Sequence, residues 1–310
     1  MKHLSIIFVV IILIVGGVVY LLTQGLGNEV PVSQEQKETT DVVTTTTEDM
    51  TQTEELKEED EVMQDDSIIG KSVEGRDIGV YHYGTGDTEL LFVGGIHGGY
   101  EWNTVLVAYE LMDYLEANPD VVPENMKVTV IPVLNPDGLD EVVDTDGRFS
   151  ASDVPSEIAQ TVQGRFNAND VDLNRNFDCN WQSTGTWQNT TVSGGTEAFS
   201  EPESQAMKAY IEAHNPKAVV VWYSAAGGVF ASSCNNGVLP ETSTLTKVYA
   251  TASGYKAYND FNFYDITGDM VNWLAKKNIP AISVLLTTHT GTEWSKNKSG
   301  IEALIKHYTE

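Results

Sequence analysis

The chain reads as an α/β protein with a mixed, mostly parallel sheet and helices on both faces, preceded by a single N-terminal transmembrane helix. Three observations predict this. Short β-branched or apolar runs alternate with helical patterns from about Ser67 to the end, which implies helices layered on both faces of one sheet. Several of those runs are near-continuously apolar, as in strands buried on both faces. At the other end, Leu4 to Leu22 is a 19-residue stretch without a charge.

Taken in order, that apolar stretch comes first. At 1.5 Å rise per residue it just crosses the ~30 Å hydrocarbon core of a bilayer. It exceeds the ~7–15 residues of a signal-peptide core and no A-x-A site follows, so it reads as an uncleaved anchor within residues 1–27. Lys2 on the short flank places the N-terminus in the cytoplasm and the remaining chain outside, as a single-pass protein of the cell membrane. Residues 28–66 hold 14 Asp/Glu against two Lys, with no aromatic residue. Such a stretch cannot bury enough apolar surface to offset its ordering entropy and reads as an acidic, disordered linker.

Residues 67–310 are long enough for one domain with a substantial core. The whole chain carries a net charge of −27, and this part is acidic too, so nucleic acid and anionic lipid head groups are poor partners. The expected state is a monomer. Two cysteines, Cys179 and Cys234, sit in separate motifs. Outside the cytoplasm they either pair or remain as two buried thiols.

Within the domain the strand candidates are Asp77–Tyr83, Glu89–Val93, Lys127–Val133, Ala218–Trp222 and Ala281–Leu286. Helical patterns cover Asn103–Ala117, Glu201–His214, roughly Ser243–Tyr258, Asp269–Lys277 and Lys298–His307. Ser200-Glu-Pro-Glu203 has capping-box spacing with Pro in the first turn. In open sheets of this type, ligands bind beyond the carboxyl ends of the strands. His97, Asn135, Tyr223 and Leu285 all fall at or just after such ends.

Five motifs follow one another: GGIHGGYE (Gly94–Glu101), NPDG (Asn135–Gly138), DLNRNF (Asp172–Phe177), SEPE (Ser200–Glu203) and FYDITGDMVNW (Phe263–Trp273). Their order, across nearly all of residues 67–310, resembles the zinc carboxypeptidases of the carboxypeptidase A type. The resemblance implies that family's α/β fold and one zinc ion. By itself a His-x-x-x-Glu pair is a weak signal; within the ordered set it makes His97 and Glu101 zinc ligands. The family usually has two residues between them, whereas three stand here. Asn174 and Arg175 match the binders of the substrate's terminal carboxylate, a role for which the planar guanidinium fork is suited. Arg165 matches the arginine that polarises the scissile carbonyl. Tyr264 matches the tyrosine that folds over bound substrate. Val271 stands where the family tunes its side-chain pocket, and an apolar residue there argues against a preference for basic terminal residues.

Two positions depart from the pattern. Tyr223 stands where the family has its third zinc ligand, a histidine, and Leu285 where it has the catalytic glutamate. Neutral tyrosine is a poor zinc ligand, because its phenol ionises only near pH ~10. Just beyond Leu285, the run TTHTGTEW brings His289 and Glu293, the two missing side-chain types. His289 and Tyr223 are therefore candidate third ligands, and Glu293 a candidate general base. The functional expectation is a membrane-tethered, extracytoplasmic carboxypeptidase. It would hydrolyse C-terminal residues of peptides or cell-wall stem peptides by zinc-activated water. The alternatives are a catalytically impaired relative that binds peptide C-termini, and a zinc amidase or deacylase on the same scaffold.

Overall fold

The computed structural model describes residues 67–309; the expected anchor and acidic linker lie outside them. Among the described residues no helix is long and apolar enough to cross a membrane. The strands are β1 (Ser67–Lys71), β2 (Asp77–Tyr83), β3 (Thr88–Val93), β4 (Met126–Ile131), β5 (Thr184–Trp187), β6 (Thr190–Ser193), β7 (Ala218–Ser224), β8 (Gly228–Ala231), β9 (Ala257–Tyr258) and β10 (Ala281–Leu286). The principal helices are α1 (Trp102–Ala117), α2 (Pro136–Val143), α3 (Pro202–His214), α4 (Pro240–Ser253), α5 (Met270–Lys276) and α6 (Trp294–Thr309). Strands β5 and β6 form a separate hairpin, and the other eight make one sheet in the order β1-β2-β4-β3-β7-β10-β8-β9. The middle strands β4, β3, β7 and β10 run parallel to one another, while β2 and β8 pair antiparallel on either side of them.

The apolar runs are continuous because both faces of the central strands are covered. Successive side chains on a strand point to opposite faces. Leu90, Phe92, Val220, Trp222, Ile282 and Val284 therefore join one core, with Leu111 of α1, Leu245 of α4 and Leu304 of α6. Leu91, Val93, Val219, Val221, Tyr223 and Leu285 join the other, with Met207 of α3 and Trp273 of α5. Tyr223 and Leu285 share a face, and they are also direct register partners across the parallel β7–β10 pair. The two departures from the family pattern are lateral neighbours.

Three local expectations are corrected. The helix expected to run to Tyr258 ends at Ser253, where Gly254 takes a left-handed φ of 75°. Ala257–Tyr258 instead pairs with β8. The last helix begins at Trp294, one turn earlier than its apolar period suggests. At the start of α3 there is no capping box: the N-cap is Glu201, and Glu203 accepts hydrogen bonds from the Val73 N–H (3.1 Å) and Asn167 Nδ2 (3.1 Å). Long-range donors win the carboxylate that spacing had assigned to its own helix. Cys179 and Cys234 form a disulfide.

Candidate functional site

The parallel strands deliver the motifs to one edge of the sheet, where a cavity of about 260 Å³ opens. His97, Glu101, Arg165, Asn174, Arg175, Tyr223, Tyr264, Val271, Leu285 and His289 all line it. Glycine makes the close loop packing possible. Gly98 has φ +40°, and a Cβ there would stand 2.6 Å from both the Gly138 carbonyl carbon and the Gly164 oxygen. At Gly268 (φ +66°) a Cβ would meet the Arg175 oxygen at 2.3 Å; the bare backbone instead bonds Phe177 N–H and Cys179 O, each at 2.8 Å. Main chain thereby packs directly on main chain next to His97 and behind Arg175.

Asp172 is the organising group, although in the sequence only its membership of DLNRNF marks it. Fully buried, it accepts from Arg165 Nε (3.0 Å) and Nη2 (2.7 Å) on one oxygen and from Asn174 N–H (3.0 Å) on the other. His97 Nε2 lies 3.2 Å from that second oxygen. Burial alone would raise the Asp172 carboxyl, but Arg165, Arg175 and His97 hold it far below the usual carboxylate range. His97 Nδ1 faces Glu101 Oε2 at 3.1 Å, and both atoms are buried without a hydrogen-bond partner. A carboxylate behind one imidazole nitrogen, with the other left free, is how metal-bound histidines are usually supported. Two atoms of the ligand type are thus presented together.

A third is not. Tyr223 donates its hydroxyl to Asn174 Oδ1 (3.2 Å). Burial, with the Asp269 and Glu101 carboxylates, pushes that phenol well above its ordinary value, so it remains neutral. His289 lines the cavity with its ring 4.8 Å from Tyr100, and its Nδ1 is buried and unpartnered. Burial pushes its imidazole below the usual value. Among the described residues, however, no three His, Cys, Asp or Glu side chains gather as a metal-holding group. The donor set does not fit a catalytic zinc site, which needs three protein ligands and an open position.

Glu293 is not brought to the cavity. Its carboxylate accepts from Thr287 N–H (2.7 Å), Tyr255 OH (2.8 Å) and Lys296 Nζ (2.6 Å). Burial opposes its ionisation, yet Lys296, Thr287 and Tyr255 lower it to about 2. The candidate base is a brace for the loop that precedes α6. Glu293→Gln is expected to cost about 1–2 kcal/mol of stability, the scale of a charge-assisted hydrogen bond, in urea unfolding at pH 7. Its contribution is present above the ordinary glutamate value and fades as pH falls towards 2. Ligand binding in the cavity should not change.

The residues expected to bind a carboxylate stand together along the cavity. Arg175 is buried, with Nη1 on Asn174 O and Nη2 on Thr186 O, both at 2.7 Å, and its Nε has no hydrogen-bond partner. Tyr264 stands over it, ring centroid 6.0 Å from the guanidinium carbon. Arg165 is capped by Trp187 of the β5–β6 hairpin at 4.5 Å. Trp187 and Asp269 also escaped the sequence reading. Asp269 is buried and lines the cavity, and burial raises its carboxyl to about 6 in spite of Arg175. Leu285 presents an apolar side chain to the same space.

Residues 51–301 match the zinc carboxypeptidase family. Carboxypeptidase Z of Rattus norvegicus is 29% identical over 55% of this chain and 26% of its own length. The human carboxypeptidase N catalytic chain is 28% identical over 55% of this chain and 37% of its own. A gamma-D-glutamyl-L-diamino acid endopeptidase of Lysinibacillus sphaericus is 25% identical over 63% and 54%. The chain thus spans between a quarter and just over half of these relatives. Among solved structures, bovine thrombin-activatable fibrinolysis inhibitor superposes with a TM-score of 0.62 at 18% identity, covering 78% of this chain and 87% of that one. The murein-tripeptide amidase MpaA from Escherichia coli O157 does so with 0.56 at 20% identity, covering 78% and 91%. These likenesses establish the shared fold. With the matched span covering most of the sequence and the motifs in place along one sheet edge, this chain belongs to the zinc carboxypeptidase family.

Proposed function

We propose that this protein binds the free C-terminus of a peptide and does not hydrolyse it. The observation that carries the reading is the pair Tyr223 and Leu285. The first is neutral and hydrogen-bonded to Asn174, and the second is apolar, at the positions where the family has its third zinc ligand and its base. Glu293, the nearest glutamate in sequence, is committed elsewhere. The cradle of Arg165, Asn174, Arg175 and Tyr264 survives. A buried arginine beside a carboxylate forms strong charge-assisted bonds, and Trp187 shields Arg165 from one side. Peptides, including cell-wall stem peptides, are the ligand class; a relative named for a diamino acid bond and a neighbour named for a murein tripeptide support including the latter. The reading carries with it an extracytoplasmic domain held to the membrane by Leu4–Leu22.

A peptide with a free terminus should bind the full-length protein, in detergent, at least tenfold more tightly than its C-terminal amide, the ~1.4 kcal/mol expected from one charge-assisted contact. Mass spectrometry should recover the peptide intact after long incubation. Equal affinities would overturn the cradle. A shortened peptide would favour a second reading, a hydrolase in which His289 completes the zinc site. That reading rests on the buried, unpartnered Nδ1 of His289. It predicts one retained zinc per chain, lost in His289→Ala.

A further inference from the structure

The β5–β6 hairpin stands apart from the main sheet, paired from Thr184 with Ser193 to Trp187 with Thr190. Successive side chains on a strand face opposite ways, so Gly185 and Trp187 share one side of β5, and Thr184 and Thr186 the other. The first side meets both arginines of the cavity. The Trp187 ring lies 4.5 Å from the Arg165 guanidinium carbon, and Tyr100 packs edge-on against that ring at 5.1 Å. Gly185 lies flush on Arg175: a Cβ there would stand 2.7 Å from Arg175 Cδ and 2.9 Å from its Nε. Between the two, the Thr186 carbonyl accepts from Arg175 Nη2 at 2.7 Å. The hairpin is tied at its base to Asp172, whose N–H donates to Ser193 O at 3.0 Å and whose carboxylate holds Arg165. A guanidinium on its long stem has many rotamers, and a bidentate grip on a carboxylate needs one of them. Three consecutive residues of one strand thus supply the order that two long side chains would otherwise acquire only when a ligand arrives.

We infer that Gly185, Thr186 and Trp187 are positioning residues: the hairpin presets the Arg165 and Arg175 forks, so that the cavity grips a carboxylate without first ordering them. This rests on the cradle reading above. Each of the three works through an arginine, Gly185 and Trp187 by packing and Thr186 by its main chain.

The test is calorimetry on the full-length protein, in detergent, with one peptide and its C-terminal amide. Gly185→Ala, whose methyl lifts β5 off Arg175, and Trp187→Ala should each bring the acid-over-amide preference from at least ~tenfold to within about threefold. Trp187→Phe keeps a flat face over Arg165 and should hold most of the preference. Thr184→Ala, on the far side of the same strand, should leave it as it is. An unchanged preference in both Gly185→Ala and Trp187→Ala would overturn the inference. So would a stronger one, the mark of a hairpin that competes with the ligand for the guanidinium groups. An equal fall in Thr184→Ala would overturn it too, because the hairpin would then act only by being folded. The chain has four arginines, so their Nε–H signals can be read one by one in a proton–nitrogen correlation spectrum without any peptide. The Arg175 signal in Gly185→Ala and the Arg165 signal in Trp187→Ala should exchange with water at least ~tenfold faster than in the natural protein. If the natural protein binds acid and amide alike, the cradle has failed and these signals decide alone. Faster exchange then upholds the positioning, and unchanged exchange in both variants overturns it.

Discussion

The double variant Tyr223→His/Leu285→Glu is expected to retain one zinc ion per chain and to release C-terminal residues from peptides, a gain in both over the natural chain on the function proposed above. His97 Nδ1 and Glu101 Oε2 already face each other, 3.1 Å apart and otherwise unpartnered, and Asp172 already orients the imidazole. A histidine at 223 would add the third ligand from the same sheet face. A glutamate at 285 would stand beside it, because the two positions are register partners. General acid–base catalysis is worth ~10²–10⁴-fold, or about 3–5.5 kcal/mol of barrier. Tyr223→His alone should therefore bind zinc but hydrolyse at least ~10²-fold more slowly than the pair. Leu285→Glu alone should bind no zinc and lose stability, since it buries an uncompensated carboxylate. Native mass spectrometry and product chromatography read both quantities. A double variant without zinc would show that the site lacks more than these two residues.

Asp172→Ala should be the most destabilising single change at the site, by about 3–5 kcal/mol, the range for stranding a buried charge. It would leave the Arg165 guanidinium, 2% exposed, with Glu101 3.8 Å away as its nearest anion. The same carboxylate makes stability depend on acid. Its folded value is depressed, so its contribution is complete above the ordinary aspartate range and is lost as pH falls below it. The variant should unfold at lower urea with an unchanged slope and should lack that acid-side decline. A urea midpoint within error of the natural protein's would refute the organising role.

Most of the central architecture was legible because it is written in apolar runs. Asp77–Tyr83 and Ala281–Leu286 match the observed strands residue for residue. What escaped was short, polar or partner-dependent. Strands β1, β8 and β9 and the β5–β6 hairpin are two to five residues long and take their form from what they pair with. The cavity residues named from motifs do line it, since a specific string fixes both identity and place. Asp172 and Asp269 lay inside quoted motifs, but their weight comes from burial and from which atoms remain unpaired, and periodicity carries neither. Glu293 was misread for the complementary reason: the right side-chain type at a suggestive spacing, with its donors hidden in Tyr255 and Lys296.

The Cys179–Cys234 bond has a consequence for how the chain is held in the unfolded state. It closes a ring across a sequence separation of 55, which takes in the β5–β6 hairpin, α3 and the central strand β7. Closing a loop of that length removes unfolded-chain entropy worth about 4 kcal/mol in the chain-entropy treatment. That is comparable with the whole net stability of many domains, roughly 5–15 kcal/mol. One anchor of the ring lies four residues past Arg175, and the other beside Ser233 of the cavity wall. Two walls of the cavity thus remain neighbours in the chain's connectivity even when nothing is folded, and a reducing compartment would forfeit that head start.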